Sequence, residues 1–297
     1  MRILILQTKK INPAHLSFTE CLGRIHDVTF CGEGFDGYTS DQMSIYEILD
    51  KHPKFDLILT NVQKGNFVQD LDKITDIPKV VIIADYYGWR LTKVNHWLES
   101  HKYDLAFALN EHWTVTELKK TGLVPKVFYL PPGADEELFF KSGTPKTIDV
   151  MAVYSHAAGL YPLRFHIKSV INDMHITTVT KKIRLQEYAD HINKSKIFVH
   201  GGDRVGSVFF KYFEVMLCGT MFLTDWASDM QTCGLIGNIH CALFRGPQDL
   251  EERIRYYLIN DEERGKIAEA GRQYALRNFT SRNISNHFTK IVRRELF

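Results

Sequence analysis

Short apolar runs alternate with amphipathic stretches along the first half of the chain. The runs of strand length are RILIL, DVTF, DLILT, KVVIIA, DLAFAL and KVFYL. Strands that are buried on both faces are nearly continuous in apolar residues, and the stretches between these runs have helical spacing. The pattern therefore predicts an α/β domain with a parallel sheet and helices on both faces.

A second alternating series follows a break in this rhythm. Segment 141–147 has the Gly, Ser and Pro content of a linker, and the runs IDVMAVYS, MHITTVT, SKIFVHGG, TMFLTD and CALF come after it. The sequence thus predicts two doubly wound, Rossmann-like domains, at 1–143 and 144–280, that face a cleft. Ligands are expected at the carboxyl ends of the strands.

Length and composition agree with two ordinary globular domains. The 297 residues exceed what one core usually supports, and 24% charged and 44% hydrophobic residues indicate neither disorder nor a membrane span. A formal charge of +2 argues against a surface built as a whole to bind nucleic acid. The N-terminal apolar run is too short for a signal peptide, and the five cysteines lack C-x-x-C spacing, so we expect a cytoplasmic protein with reduced thiols.

The segment KYFEVMLCGTMFLTD, at 211–225, carries candidate chemistry. It predicts a short helix with Glu214 at its head and Lys211 one turn earlier, which ends at Gly219 before a strand. The amino end of a helix attracts phosphates, and a carboxylate can accept hydrogen bonds from a ribose diol. On spacing alone, a glutamate that caps or pairs on a solvated helix fits equally well.

The same region resembles a known family. FEVMLCG and the downstream LEERIRYYLINDEERGKIAEAGRQYALRNFT resemble the C-terminal half of group 1 glycosyltransferases of the GT-B fold, particularly the spore-maturation-like branch, and LPPGADEELF resembles their interdomain segment. The resemblance implies transfer of a sugar from a nucleoside diphosphate sugar, with a UDP-sugar favoured, to an acceptor hydroxyl. It also implies that a last helix, at 281–297, returns to the first domain.

Further donor-binding candidates are polar side chains of the second predicted domain. Arg164 opens a predicted helix, where its guanidinium could bind two phosphate oxygens. The glycine loop at 200–207 would permit close approach of a phosphate or a sugar, although an ordinary surface loop is the competing interpretation. The complete donor-binding set is Ser155, Arg164, Arg204, Ser207, Lys211, Tyr212 and Glu214.

One departure from the resembled family concerns the sugar. Many family 4 enzymes carry an E-x7-E pair; Glu214 matches its second member, whereas Gly206 stands at the first. The missing acid puts in doubt the carry-over of sugar contacts and of retaining stereochemistry. It also leaves open a catalytically inactive sugar-nucleotide-binding protein.

Candidate catalytic residues follow two apolar strands of the first predicted domain. Asp85 comes directly after VVIIA, where a carboxylate could take the proton of an acceptor hydroxyl, and the resembled branch tends to carry an acid there. Capping of the next helix is the alternative role. His112, after DLAFAL, is the second candidate base.

Aromatic and basic residues beside Asp85 are the acceptor-binding candidates. They are Lys9, Tyr86, Tyr87, Trp89 and Arg90. Aromatic faces stack on sugars or unstacked bases and cations hold phosphates, so an acidic glycan or a nucleic acid is a candidate acceptor. An amphipathic helix with aromatic residues in the core explains the stretch more simply. A glycosyltransferase that modifies a hydroxyl-pyrimidine of DNA remains an alternative.

Two further motifs have competing explanations. Residues 32–37 match G-x-G-x-x-G and raise the alternative of an NAD(P)-dependent oxidoreductase, but they follow the second predicted strand and lead into a turn-like segment, which favours a loop at the rim of the site. The D-x-D at 70–72 lies in a polar, helix-like segment. Since no metal-ligand spacing occurs, we expect no metal and no cofactor besides the sugar nucleotide, which is a co-substrate.

Overall fold

The computed structural model describes residues 1–10, 13–40, 42–52, 54–61, 68–88, 90–154, 161–181, 183, 185–202 and 204–297, with the backbone alone for 13–16, 185 and 186. The chain divides into two compact units. Unit 1 comprises Met1–Pro131 and Ile284–Phe297, and unit 2 comprises Pro132–Asn283.

The described part of unit 1 contains a six-stranded parallel sheet. Its strands are β1 (Arg2–Leu6), β2 (Asp27–Cys31), β3 (Leu57–Asn61), β4 (Lys79–Ile83), β5 (Leu105–Ala108) and β6 (Lys126–Tyr129). The order β2-β1-β3-β4-β5-β6 reverses direction between β1 and β3, as in a doubly wound sheet. All residues of β3 and β4 are buried, because seven of the ten are apolar and both strands lie inside the sheet.

Helices of unit 1 occupy the connections between these strands. They are α1 (Pro13–Gly23), α2 (Ile45–Leu49), α3 (Arg90–His101) and α4 (Thr116–Thr121). The first turn of α2 is fixed by a capping box, in which Ser44 and Glu47 bond to each other's backbone. At the end of α4, Gly122 has a φ of +66°.

Unit 2 contains a smaller parallel sheet of five described strands. They are β7 (Ile148–Met151), β8 (Thr178–Val179), β9 (Ser195–Val199), β10 (Met221–Thr224) and β11 (Ala242–Leu243), in the order β11-β10-β9-β7-β8. The helices are α5 (Pro162–Asp173), α6 (Leu185–Lys194), α7 (Phe210–Leu217), α8 (Asp229–Thr232), α9 (Pro247–Ile259) and α10 (Asp261–Asn278). Both α5 and α9 begin with proline, which suits the first helical position.

The last helix, α11 (Ser281–Leu296), packs in the core of unit 1. Phe288 is fully buried, and its ring centre lies 5.8 Å from that of Phe18 and 4.9 Å from that of Phe107. His26 and Thr289 add a hydrogen bond of 2.8 Å. Unit 1 is therefore built from two separate stretches of the chain.

The predicted α/β class with two parallel, doubly wound sheets is confirmed. Each apolar run identified from the sequence contributes a strand, although MHITTVT contributes only the two residues of β8. Gly219 has a φ of +65° after α7, as the predicted turn requires. Because the strands of each sheet are parallel, their carboxyl ends share one edge, and the candidate residues can be located on that edge.

Candidate functional site

Two loops begin at the carboxyl edge of the unit 2 sheet. β9 is followed by His200, and β10, its neighbour in the sheet, is followed by Asp225. The backbone N–H of His200 donates to the carbonyl of Leu223 at 3.0 Å, which extends the pairing past β9. Ligands of open parallel sheets bind at this edge, so these loops are the first candidates for a site.

Asp225 fixes the glycine loop that follows β9. The N–H of Gly202 donates to the carboxylate of Asp225 and lies 3.1 Å from each oxygen. A Cβ at Gly201 would lie 2.8 Å from one of these oxygens, and Gly202 has a φ of +68°. Close approach at one position and left-handed backbone at the next explain the pair of glycines.

Arg164 lies in the first turn of α5, as the sequence predicts, with 8% of its surface exposed. Its Nε donates to the carbonyl of Gly201 at 2.9 Å. The guanidinium carbon is 3.8 Å from the ring centre of Tyr161 and 5.8 Å from that of Tyr154. These contacts hold a buried cation beside the glycine loop.

Lys211 and Glu214 lie one turn apart on α7. Lys211 donates from Nζ to the hydroxyl of Tyr188 at 2.9 Å, and burial lowers its pKa. The charge of Arg164 lowers that pKa further, whereas the carboxylate of Glu214 opposes the shift. Burial raises the pKa of Glu214, and Lys211 and the Tyr188 hydroxyl oppose that rise.

Glu214 differs from its expected environment in two respects. It is the fifth residue of α7 and so lies in the middle of the helix instead of at its head. Only 7% of it is exposed, so the solvated alternative is wrong. Its Oε2 accepts no hydrogen bond from any residue that the structure describes. A buried acceptor without a partner is uncommon and calls for a ligand or a bound water.

His200 is a candidate that the sequence reasoning did not single out. It is 1% exposed, and its ring centre lies 4.3 Å from that of Phe209 and 4.9 Å from that of Tyr154. Burial lowers its pKa well below the usual value, and the charges of Arg164 and Lys211 lower it further. His200 therefore lies in one cluster with two cations, and both favour its neutral form. The sequence feature that could have identified His200 is its position directly after an apolar strand.

Gly206 stands where many family 4 enzymes have an acid, and its surroundings exclude a side chain. Its φ is +71°, and a Cβ would come within 3.0 Å of Ser228 Oγ. The carbonyl of Gly206 accepts from Ser228 Oγ at 3.1 Å and from the N–H of Asp229 at 3.0 Å. The departure noted in the sequence is thus fixed by local structure.

The remaining donor candidates are less enclosed. Arg204 is exposed and Ser207 is half-buried, both in the segment between β9 and α7. Ser155 and the acceptor candidate Trp89 lie outside the described residues.

Asp85 follows β4 at the carboxyl edge of the unit 1 sheet. Its half-buried carboxylate forms a salt bridge with the guanidinium of Arg90, the first residue of α3. The guanidinium carbon of Arg90 lies 5.8 Å from the ring centre of the half-buried Tyr87. Three of the predicted residues thus form one cluster.

His112 lies at the same edge, in the turn after β5. It is exposed, and its neighbour Trp113 donates from Nε1 to the carbonyl of Tyr86 at 2.7 Å. Asn110 begins this turn by accepting from the N–H groups of Trp113 and Thr114, at 2.8 and 3.0 Å. The turns after β4 and β5 therefore touch, which positions His112 near the Asp85 segment.

Lys9 follows β1 on the surface, with its Nζ 5.5 Å from the ring centre of Phe35. Its N–H donates to the carbonyl of Glu33 at 2.8 Å, so the loop after β1 is paired with the G-x-G-x-x-G loop. A Cβ at Gly32, which has a φ of +149°, would collide with the backbone of Gln7. These glycines serve the packing of two loops. No described residue of 32–44 is helical, so the helix that a dinucleotide motif opens does not follow.

Two aromatic candidates lie in the cores instead of on the surface. Tyr86 is 1% exposed and donates to Asn95 Oδ1 at 2.6 Å. Tyr212 is also 1% exposed, with its ring centre 4.4 Å from that of Phe222. Neither side chain is available at the surface, so neither is carried into the proposals below.

No group of three or more His, Cys, Asp or Glu side chains among the described residues could hold a metal ion. Asp70 of the D-x-D bonds to Ser44 Oγ at 2.9 Å and to Lys73 Nζ at 2.7 Å. Within the same described ranges, no helix has the length and apolar character needed to cross a membrane.

Two parallel-sheet units, each with polar side chains at its carboxyl edge, define the GT-B class of α/β protein. Residues 155–290 match the family model described as glycosyl transferase-like. A comparison with curated protein sequences finds no match.

Solved structures of similar fold cover nearly the whole chain. HepE from Anabaena in complex with UDP has a TM-score of 0.73 at 14% identity, over 99% of this chain and 100% of that one. An alpha-glucosyltransferase in complex with UDP-glucose and DNA containing an abasic site has a TM-score of 0.69 at 15% identity, over 99% of both chains. T4 phage BGT in complex with UDP and Mn²⁺ has a TM-score of 0.65 at 13% identity, also over 99% of both.

The solved structures show that the chain has the GT-B fold. The similarity to the glycosyl transferase-like family model is confined to residues 155–290.

Proposed function

We propose that this protein transfers a sugar from a nucleoside diphosphate sugar, with a UDP-sugar favoured, to an acceptor hydroxyl. The observation that carries the proposal is the cluster formed by buried Arg164, His200 and Glu214 with half-buried Lys211 at the carboxyl edge of unit 2. It combines two cations with a carboxylate that has an oxygen without a described hydrogen-bond donor. The UDP complexes of HepE and BGT support the choice of nucleotide.

Each group of the cluster has a role that suits its chemistry. The two hydroxyls of a ribose can donate to the carboxylate of Glu214, which would satisfy Oε2. Arg164 and Lys211 would bind the diphosphate and stabilise the negative charge that grows on it as it leaves. We assign this neutralisation to the two side chains without a metal ion.

We assign activation of the acceptor to unit 1. As the acceptor oxygen attacks the anomeric carbon and the bond to the diphosphate breaks, the carboxylate of Asp85 would take the hydroxyl proton. Arg90, which forms a salt bridge with Asp85, would keep the carboxylate oriented. The exposed Lys9 and half-buried Tyr87 are the supporting acceptor contacts. His112 is the alternative base.

Nucleotide binding tests the donor assignment. We expect UDP or a UDP-sugar to raise the thermal midpoint of the purified protein, because a ligand of the native state stabilises it. The shift should persist in EDTA. Glu214→Gln should weaken UDP binding by roughly tenfold, since a charge-assisted acceptor is lost. Glu136→Gln is the matched control, because Glu136 Oε2 of unit 2 is also buried without a hydrogen bond from the described residues.

Three outcomes would contradict the proposal. The first is no response to UDP, GDP, ADP or their sugar conjugates. The second is a response to NAD or NADP alone, which would restore the oxidoreductase alternative. The third is UDP binding that Glu214→Gln leaves unchanged, which would remove the ribose role of Glu214.

A hydroxyl-pyrimidine of DNA is the second candidate acceptor. It is supported by the likeness to the alpha-glucosyltransferase in complex with DNA and by the exposed Lys9, Lys93 and His96. Trp97 is half-buried, and its ring already stacks on those of Tyr103 and His101, with ring centres 4.8 and 4.9 Å apart. Binding to DNA that weakens steeply between 50 and 200 mM salt, on the scale of roughly 10³-fold for six phosphate contacts, would favour this acceptor. Salt-independent or absent binding would remove it.

A further inference from the structure

Gly206 leaves the donor sugar without the acid that the E-x7-E pair supplies. Its left-handed backbone and the nearby Ser228 Oγ make any side chain there strained. A sugar attached to a diphosphate at Arg164 therefore needs other polar partners, and they should lie beside the glycine loop that Arg164 contacts.

The glycine loop after β9 is tied at two points to the loop after β10. At one end, the N–H of Gly202 donates to the carboxylate of Asp225. At the other, the carbonyl of Gly206 accepts from Ser228 Oγ at 3.1 Å and from the N–H of Asp229 at 3.0 Å. The segment 225–229 is consequently anchored at both of its ends.

This anchored segment presents an exposed indole next to a half-buried carboxylate. Trp226 is 64% exposed, although tryptophan is among the side chains with the most apolar area to bury. Asp225 precedes it at the end of β10. A large aromatic ring left in water on a fixed backbone indicates a surface that a ligand covers.

A pyranose ring matches this pair of groups. Its hydroxyls donate to carboxylates, and its apolar C–H face can lie against an indole. The position also fits the donor. Asp225 bonds to Gly202, whose Cβ position lies 3.6 Å from Arg164 Cγ, so the carboxylate stands beside the proposed diphosphate contact.

We propose that Asp225 and Trp226 form the subsite for the sugar of the donor, with Asp225 as hydroxyl acceptor in place of the acid missing at 206. This inference rests on the proposed function, because it assumes a nucleoside diphosphate sugar whose diphosphate lies at Arg164. In this assignment Glu214 contacts the ribose, Lys211 and Arg164 contact the diphosphate, and Asp225 contacts the sugar.

The test compares the dissociation constants of UDP-glucose, UDP-galactose and UDP-N-acetylglucosamine with that of UDP, by calorimetry. The quantity compared between variants is the dissociation constant of UDP divided by that of the UDP-sugar that wild type binds most tightly. Trp226→Ala should change this ratio by about three- to tenfold, and Trp226→Phe should restore most of it, because a ring face is kept. Asp225→Asn should change it by about tenfold. The asparagine oxygen can still accept from Gly202, so the loop keeps its anchor.

Matched controls separate the subsite from general damage. Asp149→Asn alters a carboxylate that also accepts a backbone N–H, from Thr177 at 3.0 Å, but near the amino end of β7. Tyr256→Ala removes another exposed ring of unit 2, near the end of α9. Both should leave the ratio unchanged.

The result also distinguishes this inference from the proposed function. If UDP binds to all variants with similar affinity and the ratio is the same in wild type, Trp226→Ala and Asp225→Asn, the sugar subsite is wrong and the donor site stands. If wild type binds neither UDP nor any of the sugar conjugates, both proposals fall. A loss of UDP binding itself in Asp225→Asn would also overturn the sugar role, because Asp225 would then act on the nucleotide or on the fold.

Discussion

Four ionisable side chains at the carboxyl edge of unit 2 share one enclosed environment. His200, Glu214 and Arg164 are 1%, 7% and 8% exposed, and Lys211 contacts the ring of Tyr188 with its Nζ 4.6 Å from the ring centre. Each pKa that is displaced in this cluster is displaced first by burial, and the neighbouring charges come second. Perturbed groups gathered at a strand edge are typical of functional sites.

His200 gives a pH dependence whose sign is fixed. Its folded pKa lies well below 6.5, so as pH falls past 6.5 the unfolded chain binds a proton that the folded chain does not. The free energy of unfolding therefore decreases as the pH is lowered. Between pH 7.5 and 5.5 we expect wild type to lose about 1 kcal/mol more than His200→Phe, measured by urea unfolding. If the free energy of unfolding depends on pH equally in the two proteins, His200 accepts its proton in the folded state and the prediction is wrong.

Asp85 tests the acceptor role in unit 1. Asp85→Asn should lower kcat for transfer by roughly 10²- to 10⁴-fold with the acceptor that wild type uses, because an amide cannot take the hydroxyl proton. The UDP dissociation constant should not change, because the donor groups lie in unit 2. Asp56→Asn, which alters a carboxylate bound to the N–H of Arg2 at the amino edge of the same sheet, is the control. Full glycosyl-transfer activity in Asp85→Asn would show that Asp85 is not the base and would favour His112 in that role.

Residue types and spacing predicted part of the proposed site. Arg164, Lys211 and Glu214 were predicted from their places on helices, and the structure connects them through electrostatic contacts. The direction of a side chain was harder to predict. Tyr212 follows Lys211 by one residue, yet successive helical positions are about 100° apart, so Tyr212 points into the core. Asp225 could have been predicted by the reasoning that selected Asp85, since both residues directly follow apolar strands.

At the scale of elements, the parallel sheets were predictable because buried strands are marked by continuous apolar runs. β3 and β4 show the pattern plainly. The loops were not predictable to the same degree, since their conformation depends on contacts between segments distant in sequence. The glycine loop after β9 is shaped by Asp225 and Ser228, which lie 23 and 22 residues away from their partners. Sequence spacing does not reveal such contacts.

The loop geometry makes Gly206 a test of these contacts. Gly206→Ala should lower the thermal midpoint for two reasons. Alanine at this left-handed position is strained by roughly 1–3 kcal/mol, and its Cβ would collide with Ser228 Oγ. Gly122→Ala measures the strain alone, because Gly122 has a φ of +66° and no atom within 4 Å of its Cβ position. The Gly206 variant should be the less stable of the two. Adding Ser228→Ala should recover part of the difference. Equal midpoints for the two single variants would mean that the loops are not closely packed.

At the scale of the whole molecule, the chain forms two units and its last helix completes the first. The family model spans 155–290, which includes nearly all the strands of unit 2 and the start of α11. Sequence similarity is therefore concentrated where the nucleotide is proposed to bind. Residues 1–154 lie outside that match, and the solved structures compared above are 13–15% identical over nearly the whole chain, so they show the fold alone.

Phe288 of α11 tests how unit 1 is built. Its side chain is fully buried between Phe18 and Phe107, so Phe288→Ala should cost about 3–5 kcal/mol through lost burial and the cavity left behind. Hydrogen exchange should then rise in β1, β5 and α1 of unit 1, while the strands of unit 2 keep their protection, because the deleted contacts all lie within unit 1. Phe297→Ala, at a residue that is 67% exposed, should change neither unit. Equal loss of protection in both units would show that they unfold as one cooperative body. In that case, the stability of the proposed donor site would depend on the last helix as much as the acceptor side does.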